Sequence, residues 1–167
     1  MITPEYCVTM AAYNQWQNNS LRDHVKAMDE AELRQDRGAF FGSILATLNH
    51  ILWADLLWLN RLDASQPTPD ADRDHTEATA NGEEWSAERF RVDGAIREWA
   101  RGLKAIDLTG TVTWYSYTYQ KEFHHPRSLC ITHMFNHQTH HRGQVHAMLT
   151  AAGRTTMDTD LIFLPEH

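Results

Sequence analysis

Gly38-Ala39-Phe40-Phe41-Gly42-Ser43-Ile44-Leu45-Ala46-Thr47-Leu48-Asn49-His50-Ile51-Leu52-Trp53-Ala54-Asp55-Leu56-Leu57-Trp58-Leu59 is the stretch whose reading decides the fold. After Gly38 it predicts one long helix, from about Ala39 to Leu62, that is apolar nearly all round. Such a helix is covered by neighbours on most of its sides. Two polar residues interrupt it, His50 and Asp55. The small residues Ser43, Ala46 and Ala54 lie on the His50 side and leave room there, but so uniform an apolar pattern does not say where His50 points.

The flanking segments supply the neighbours. Residues 4 to about 28 read as a helix: Thr3-Pro4 offers a cap followed by proline at the first helical position, and Tyr6, Met10, Tyr13, Leu21, Val25 and Met28 recur at helical spacing. Asp29 to Arg37 reads as a loop with a short helical turn. On the other side, Ala64 to Asn81 is rich in Pro, Asp and Thr and predicts a surface connection. A third helix is expected from Ser86 to Ile106, with Phe90, Ile96, Trp99 and Leu103 as its apolar stripe. Thr111 to Tyr119 is β-branched and aromatic, so short strands or a hairpin are expected near residues 110 to 124. Pro126-Arg127-Ser128 then opens a last helix, Ser128 to Ala152, stopped by Gly153. The tail Asp160 to Pro165 is expected to pack back on the body. These elements predict an all-α four-helix bundle with a short β-prone segment before the last helix, as one domain over residues 1–167.

Composition narrows the function. The net charge is −7 and no long basic run exists, which argues against nucleic acid and against an anionic membrane surface as partners. The apolar stretches are broken by Asn, Asp and His, so no transmembrane segment is expected. There are two cysteines, Cys7 and Cys130, without a CxxC pair, and the N-terminus lacks the regions of a signal peptide. A cytoplasmic, reduced protein is the simplest expectation.

Eleven histidines are present, and seven of them crowd between His124 and His146. His137 and His141 stand four apart, so on a helix their imidazoles share one face, the spacing by which two rings reach one metal ion. At about 100° per residue, both fall near the direction of Met134, Val145, Leu149 and Ala152. His133 and His140 lie at the edge of that face, and His146 faces away. The pair 137/141 is therefore the better buried, with 133/137 as the alternative. Spacing alone leaves two readings open, a metal site or hydrogen-bonded core histidines. Asp55 is likewise open: it can orient an imidazole as an outer acceptor, or be satisfied by an arginine or a backbone group. Cys130 reads as a small core residue.

Four stretches resemble the DinB (damage-inducible) family of metal-binding helical bundles: Tyr13-Asn14-Gln15-Trp16-Gln17-Asn18, Arg37 to Ser43, Leu48-Asn49-His50-Ile51-Leu52-Trp53-Ala54-Asp55, and Asn136-His137 to Gln144. The resemblance implies an up-up-down-down four-helix bundle, often a homodimer. It implies one divalent metal ion, commonly zinc or nickel, held by three histidines, which carry over by motif to His50, His137 and His141. Relatives include thiol-dependent transferases and isomerases and some hydrolases.

Three protein ligands would leave a position for water or substrate, as in catalytic rather than structural sites. The first expectation is therefore a metal-dependent enzyme that activates a low-molecular-weight thiol or water and acts on a small-molecule substrate. The second is a non-enzymatic metal-binding or stress-response protein. The sequence assigns no chemical role to Arg142, Gly143 or Gln144, and for Tyr13, Asn14 and Trp16 packing is the default reading.

Overall fold

Three of the four long helices begin where a side-chain oxygen meets a free backbone N–H. In the computed structural model, which describes residues 2–70 and 72–165, Thr3 caps α1 (Pro4–Lys26), Ser43 caps α3 (Ile44–Leu62) and Asn81 caps α4 (Gly82–Gly102). The short α2 (Glu30–Arg34) carries a full capping box, with Asp29 and Glu32 each accepting from the other's backbone N–H. The last helix, α5 (Arg127–Ala151), follows directly from a strand.

Two helices have bounds that differ from the sequence reading. The segment from Ala39 to Ser43 is not helical. Gly38 and Gly42 take left-handed φ angles of 70° and 77°, and the Gly42 N–H donates to the Ala39 carbonyl at 2.8 Å. This tight turn leaves Phe40 exposed and delays the helix to the Ser43 cap. The third long helix starts earlier than expected, at the Asn81 cap, and ends at Gly102, with Ile106 in a separate 3-10 turn. Its buried stripe agrees only in part, with Ile96 and Trp99 buried as expected. Phe90 is exposed beneath the guanidinium of Arg22, while Trp85, Arg89, Val92, Asp93 and Ile96 face inward. The expected hairpin is present: β1 (Thr111–Ser116) runs antiparallel to β2 (Lys121–Pro126), with Trp114 opposite Phe123.

Contacts between helices fix their directions. Asn18 and Arg22 of α1 reach Asp93 (2.9 Å) and Ser86 (3.1 Å) of α4, so these two helices run oppositely. Arg127 at the start of α5 donates to the Leu62 carbonyl at the end of α3, while His50 near the α3 start meets His137. That pair is antiparallel too. Leu48 and Asp55 of α3 accept from Trp85 (3.2 Å) and Arg89 (2.6 Å) of α4, and Tyr6 and Tyr13 of α1 meet Phe135 and Arg142 of α5. These two pairs are parallel. In chain order the long helices therefore run up, down, down, up, and not up-up-down-down as the resemblance implies. The physical reason lies in the links. The segment with α2 and the segment with the hairpin each reverse the chain, and residues 63–81 form the single long crossover, with Ala71 outside the described residues.

The four helices share one apolar core, with Leu45, Leu52, Trp85, Ile96, Met134 and Phe135 fully buried. No described helix is long and apolar enough to cross a membrane. The tail is held by polar contacts: Arg154 with Glu32 (2.7 Å), Thr156 with His146 (2.7 Å), and the Tyr13 hydroxyl donating to the Thr159 carbonyl (2.5 Å). The expectation that the tail from Asp160 to Pro165 packs back holds only at Leu164, which is half-buried. Leu161, Ile162 and Phe163 stay exposed, because the chain is anchored before it reaches them.

A charged network lies inside this core. Asp55 accepts from Arg89 (2.6 Å) and from the Gln138 amide (2.7 Å), Arg89 pairs with Asp93 (3.0 Å), and Asn18 donates to Asp93 (2.9 Å). Asp55 is thus satisfied by an arginine and an amide and, among the described residues, hydrogen-bonds to no imidazole. Burial pushes its carboxyl above the ordinary value, against the pull of Arg89 and Gln138. Removing one partner of a buried pair leaves an uncompensated charge, at about 3–5 kcal/mol. Arg89→Ala is expected to lower unfolding stability by that amount in a urea titration. A loss below about 1 kcal/mol, the range of exposed pairs, would mean that the network is not dry.

Candidate metal centre

The helical spacing of His137 and His141 puts both rings on the side of α5 that faces α3, where His50 points back at them. Gln138, the residue after His137, is fastened to Asp55 on α3, which fixes the register between the two helices at this level. One ring nitrogen from each of His50, His137 and His141 lies within 4.8 Å of the others. His50 Nε2 and His137 Nε2 are 3.1 Å apart. Two nitrogens held about 2.1 Å from one ion at a tetrahedral angle would stand about 3.4 Å apart, so the cluster is close to ligand spacing already.

The rings are poised as neutral donors. Burial, together with the neighbouring imidazoles, pushes His50 down to about 4 and His137 down to about 3, and burial lowers His141 as well. Neutral imidazole is the form that has a lone pair to give a metal. Each ring is held differently. His141 Nδ1 lies 2.7 Å from Gln144 Oε1, an acceptor, which places the proton on Nδ1 and frees Nε2. His50 Nδ1 lies 3.0 Å from His75 Nδ1, so a proton shared there leaves His50 Nε2 directed at His137. His137 Nδ1 is buried with no partner among the described residues. Phe41, turned inward by the two-glycine turn, packs on His50 (4.2 Å between ring centroids) and His141 (5.3 Å). Three histidines with available nitrogens in one shielded spot can hold a divalent ion.

The sequence matches the DinB family over residues 1–167. The chain belongs to the DinB family. Its fold is similar to that of a DinB-like protein from Bacillus cereus ATCC 10987, with a TM-score of 0.59 and 17% identity over 86% of this chain and 90% of that one. No curated protein matches.

Within this DinB chain the other candidate residues fall elsewhere. His133 packs on Trp58 (4.9 Å) and stands 5.6 Å from His137, outside the cluster, so among the described residues the alternative 133/137 pair forms no three-ligand group. His140 is exposed, and His146 bonds to Thr156 on the far side of α5. Cys130 is buried, and burial pushes its thiol up, which suits the core reading. Arg142 is buried over the Tyr13 ring (5.4 Å), and burial pushes it down to about 10. Three participants escaped the sequence reading. His75 sits in the crossover, where no periodicity places a side chain. Phe41 lies in a segment whose apolar content predicts helix and not a turn. Gln144 has a role only once its partner is known. After chelation, nitrogen shifts of the imidazoles should put the His141 proton on Nδ1, and Gln144→Leu should move it partly to Nε2. An unchanged His141 ring in that variant would show that Gln144 does not hold it.

Proposed function

We propose that this DinB-family protein is a metal-dependent enzyme in which His50, His137 and His141 hold one divalent ion, zinc or nickel. The reaction is activation of a low-molecular-weight thiol or of water for attack on a small molecule. The observation that carries this reading is the composition of the cluster: three imidazoles within 4.8 Å, joined by no carboxylate or thiol among the described residues. Imidazole suits zinc and nickel, and three protein ligands leave a position open. With no anionic ligand to neutralise it, a bound ion would keep its full charge and lower the pKa of a thiol or water reaching it. The chain's own residues do the rest. Gln144 fixes the His141 tautomer, His75 buttresses His50, and Phe41 keeps water from one side of the rings. The net charge of −7 supports a small molecule, and not nucleic acid, as the partner. One domain over residues 1–167, working as a cytoplasmic homodimer, belongs to the same reading.

A second reading, a non-enzymatic metal-binding or stress-response protein, is favoured by one feature. Among the described residues no carboxylate stands in the cluster to serve as general base, and the titratable rings that flank it are those of His75, His133 and His140.

Elemental analysis of protein purified without a histidine tag addresses the ligands. His50→Ala, His137→Ala and His141→Ala should each lose most of the bound metal, because each removes one of three protein bonds, whereas His146→Ala should keep it. Full occupancy in His50→Ala would overturn the three-histidine site. Cobalt substitution addresses the chemistry. A small thiol should give a sulfur-to-cobalt charge-transfer band near neutral pH that is absent in His141→Ala. A spectrum indifferent to thiols, azide and other small anions would mean a closed coordination sphere, and the non-enzymatic reading would stand.

A further inference from the structure

The hairpin does not simply cap the bundle. It leans over α3 and α5 and encloses a groove of about 530 Å³, within the range of about 300–1,000 Å³ typical of small-molecule sites. Aromatic rings form its walls. Trp114 is stacked on Phe123 (5.5 Å, 15° between planes), and Trp58 meets Trp114 edge to face at 5.2 Å. One end of the groove adjoins the histidine cluster. His133 lines it and lies 5.6 Å from His137, and Trp53 lines it and lies 5.8 Å from His75.

Arg61 is the only arginine or lysine lining this groove among the described residues. Its guanidinium sits 4.7 Å from the ring centroids of both Trp58 and Trp114. Cation–π contact with both rings holds the guanidinium at the aromatic wall while its N–H groups remain available to other partners. Among the described residues it makes no ion pair and no side-chain hydrogen bond, unlike Arg34, Arg89, Arg91, Arg101 and Arg154, which all face carboxylates. Burial pushes it down to about 10, so its positive charge is only partly solvated and without a counter-charge.

We infer that the groove is the substrate subsite of the proposed enzyme, and that it takes an elongated molecule with a flat apolar body and one carboxylate paired with Arg61. The aromatic walls select the flat body. The single unpaired cation matches a single negative charge, and a dianion would carry an unmatched charge into an apolar cleft of an acidic protein. Length follows from the helix. Arg61 lies three turns beyond His50 on α3, about 16 Å of rise, and its side chain folds back over Trp58 toward the cluster. An occupant anchored at Arg61 must therefore extend past Trp58 and His133 to reach the histidines. Catalysis on such a molecule rests on the metal reading above, but its binding does not.

The test compares 4-phenylbutyrate with its uncharged amide, followed by titration calorimetry and by quenching of tryptophan fluorescence. Both are measured on the protein as purified and again after chelation. The acid should bind at least tenfold more tightly than the amide, with and without metal. Arg61→Met, which keeps the stem but removes the charge, should cost the acid about tenfold and leave the amide unchanged, while Trp114→Ala should weaken both. The acid-to-amide comparison on the unaltered chain needs no variant to fold. Equal affinities, no binding of either, or acid affinity that survives Arg61→Met would overturn the proposal. Acid binding that disappears on chelation would put the carboxylate on the ion and not on Arg61, and would overturn it too. Cobalt spectra that respond to thiols without acid binding would remove the groove and leave the metal reading standing. Acid binding with inert cobalt would do the reverse.

Discussion

The guanidinium of Arg89, buried between the carboxylates of Asp55 and Asp93, is the constraint on which the rest of the bundle depends. Asn18 and Gln138 complete the group, so α1, α3, α4 and α5 each contribute at least one member. Apolar attraction is non-directional and by itself discriminates weakly between registers. Buried charges discriminate strongly, since a shift leaves a carboxylate or guanidinium unpaired in a dry interior. The network therefore sets the axial register of all four helices. Gln138 is the point at which that register reaches the histidines: its bond to Asp55 fixes α5 on α3 one residue from His137 and three from His141.

Much of this was legible in the sequence, and the failures have physical causes. Thr3-Pro4 and the β-branched run before Pro126 announced their elements because local chemistry governs caps and strands. The His137/His141 pair was legible because helical spacing alone puts two rings on one face, whereas His50 entered only through motif resemblance. Phe40-Phe41 has the apolar content of a helix, but the glycines on either side take backbone angles no α-helix contains. Phe90 reads as an inward residue because hydrophobicity stands in for burial, yet it is exposed while its neighbour Arg89 is buried. The network inverts that proxy on α4. Helix directions were out of reach of periodicity, which reports which face is buried and not which way a neighbour runs. His75 had no periodic context at all.

The two sides of α5 have different characters. Toward α3 and the hairpin lie neutral imidazoles, aromatic walls and one stacked arginine. Toward α1 lie Arg142 over Tyr13 and the tail pinned by Thr156 and Thr159. The residues His141-Arg142 thus split a single helical turn between the two sides. A substitution at one of these positions acts on a different set of partners from a substitution at its neighbour.

His50 and His137 are 87 residues apart in the chain, and they meet only after α3 and α5 have docked. Helices form in microseconds or less from local contacts, but closing so long a loop comes late. An ion held by both rings consequently finds its full ligand set only on the native side of the folding barrier. Its stabilisation would then appear almost wholly as slower unfolding, with the refolding rate little changed. For a DinB-family chain the metal would act as a latch on the finished bundle and not as a nucleus for building it.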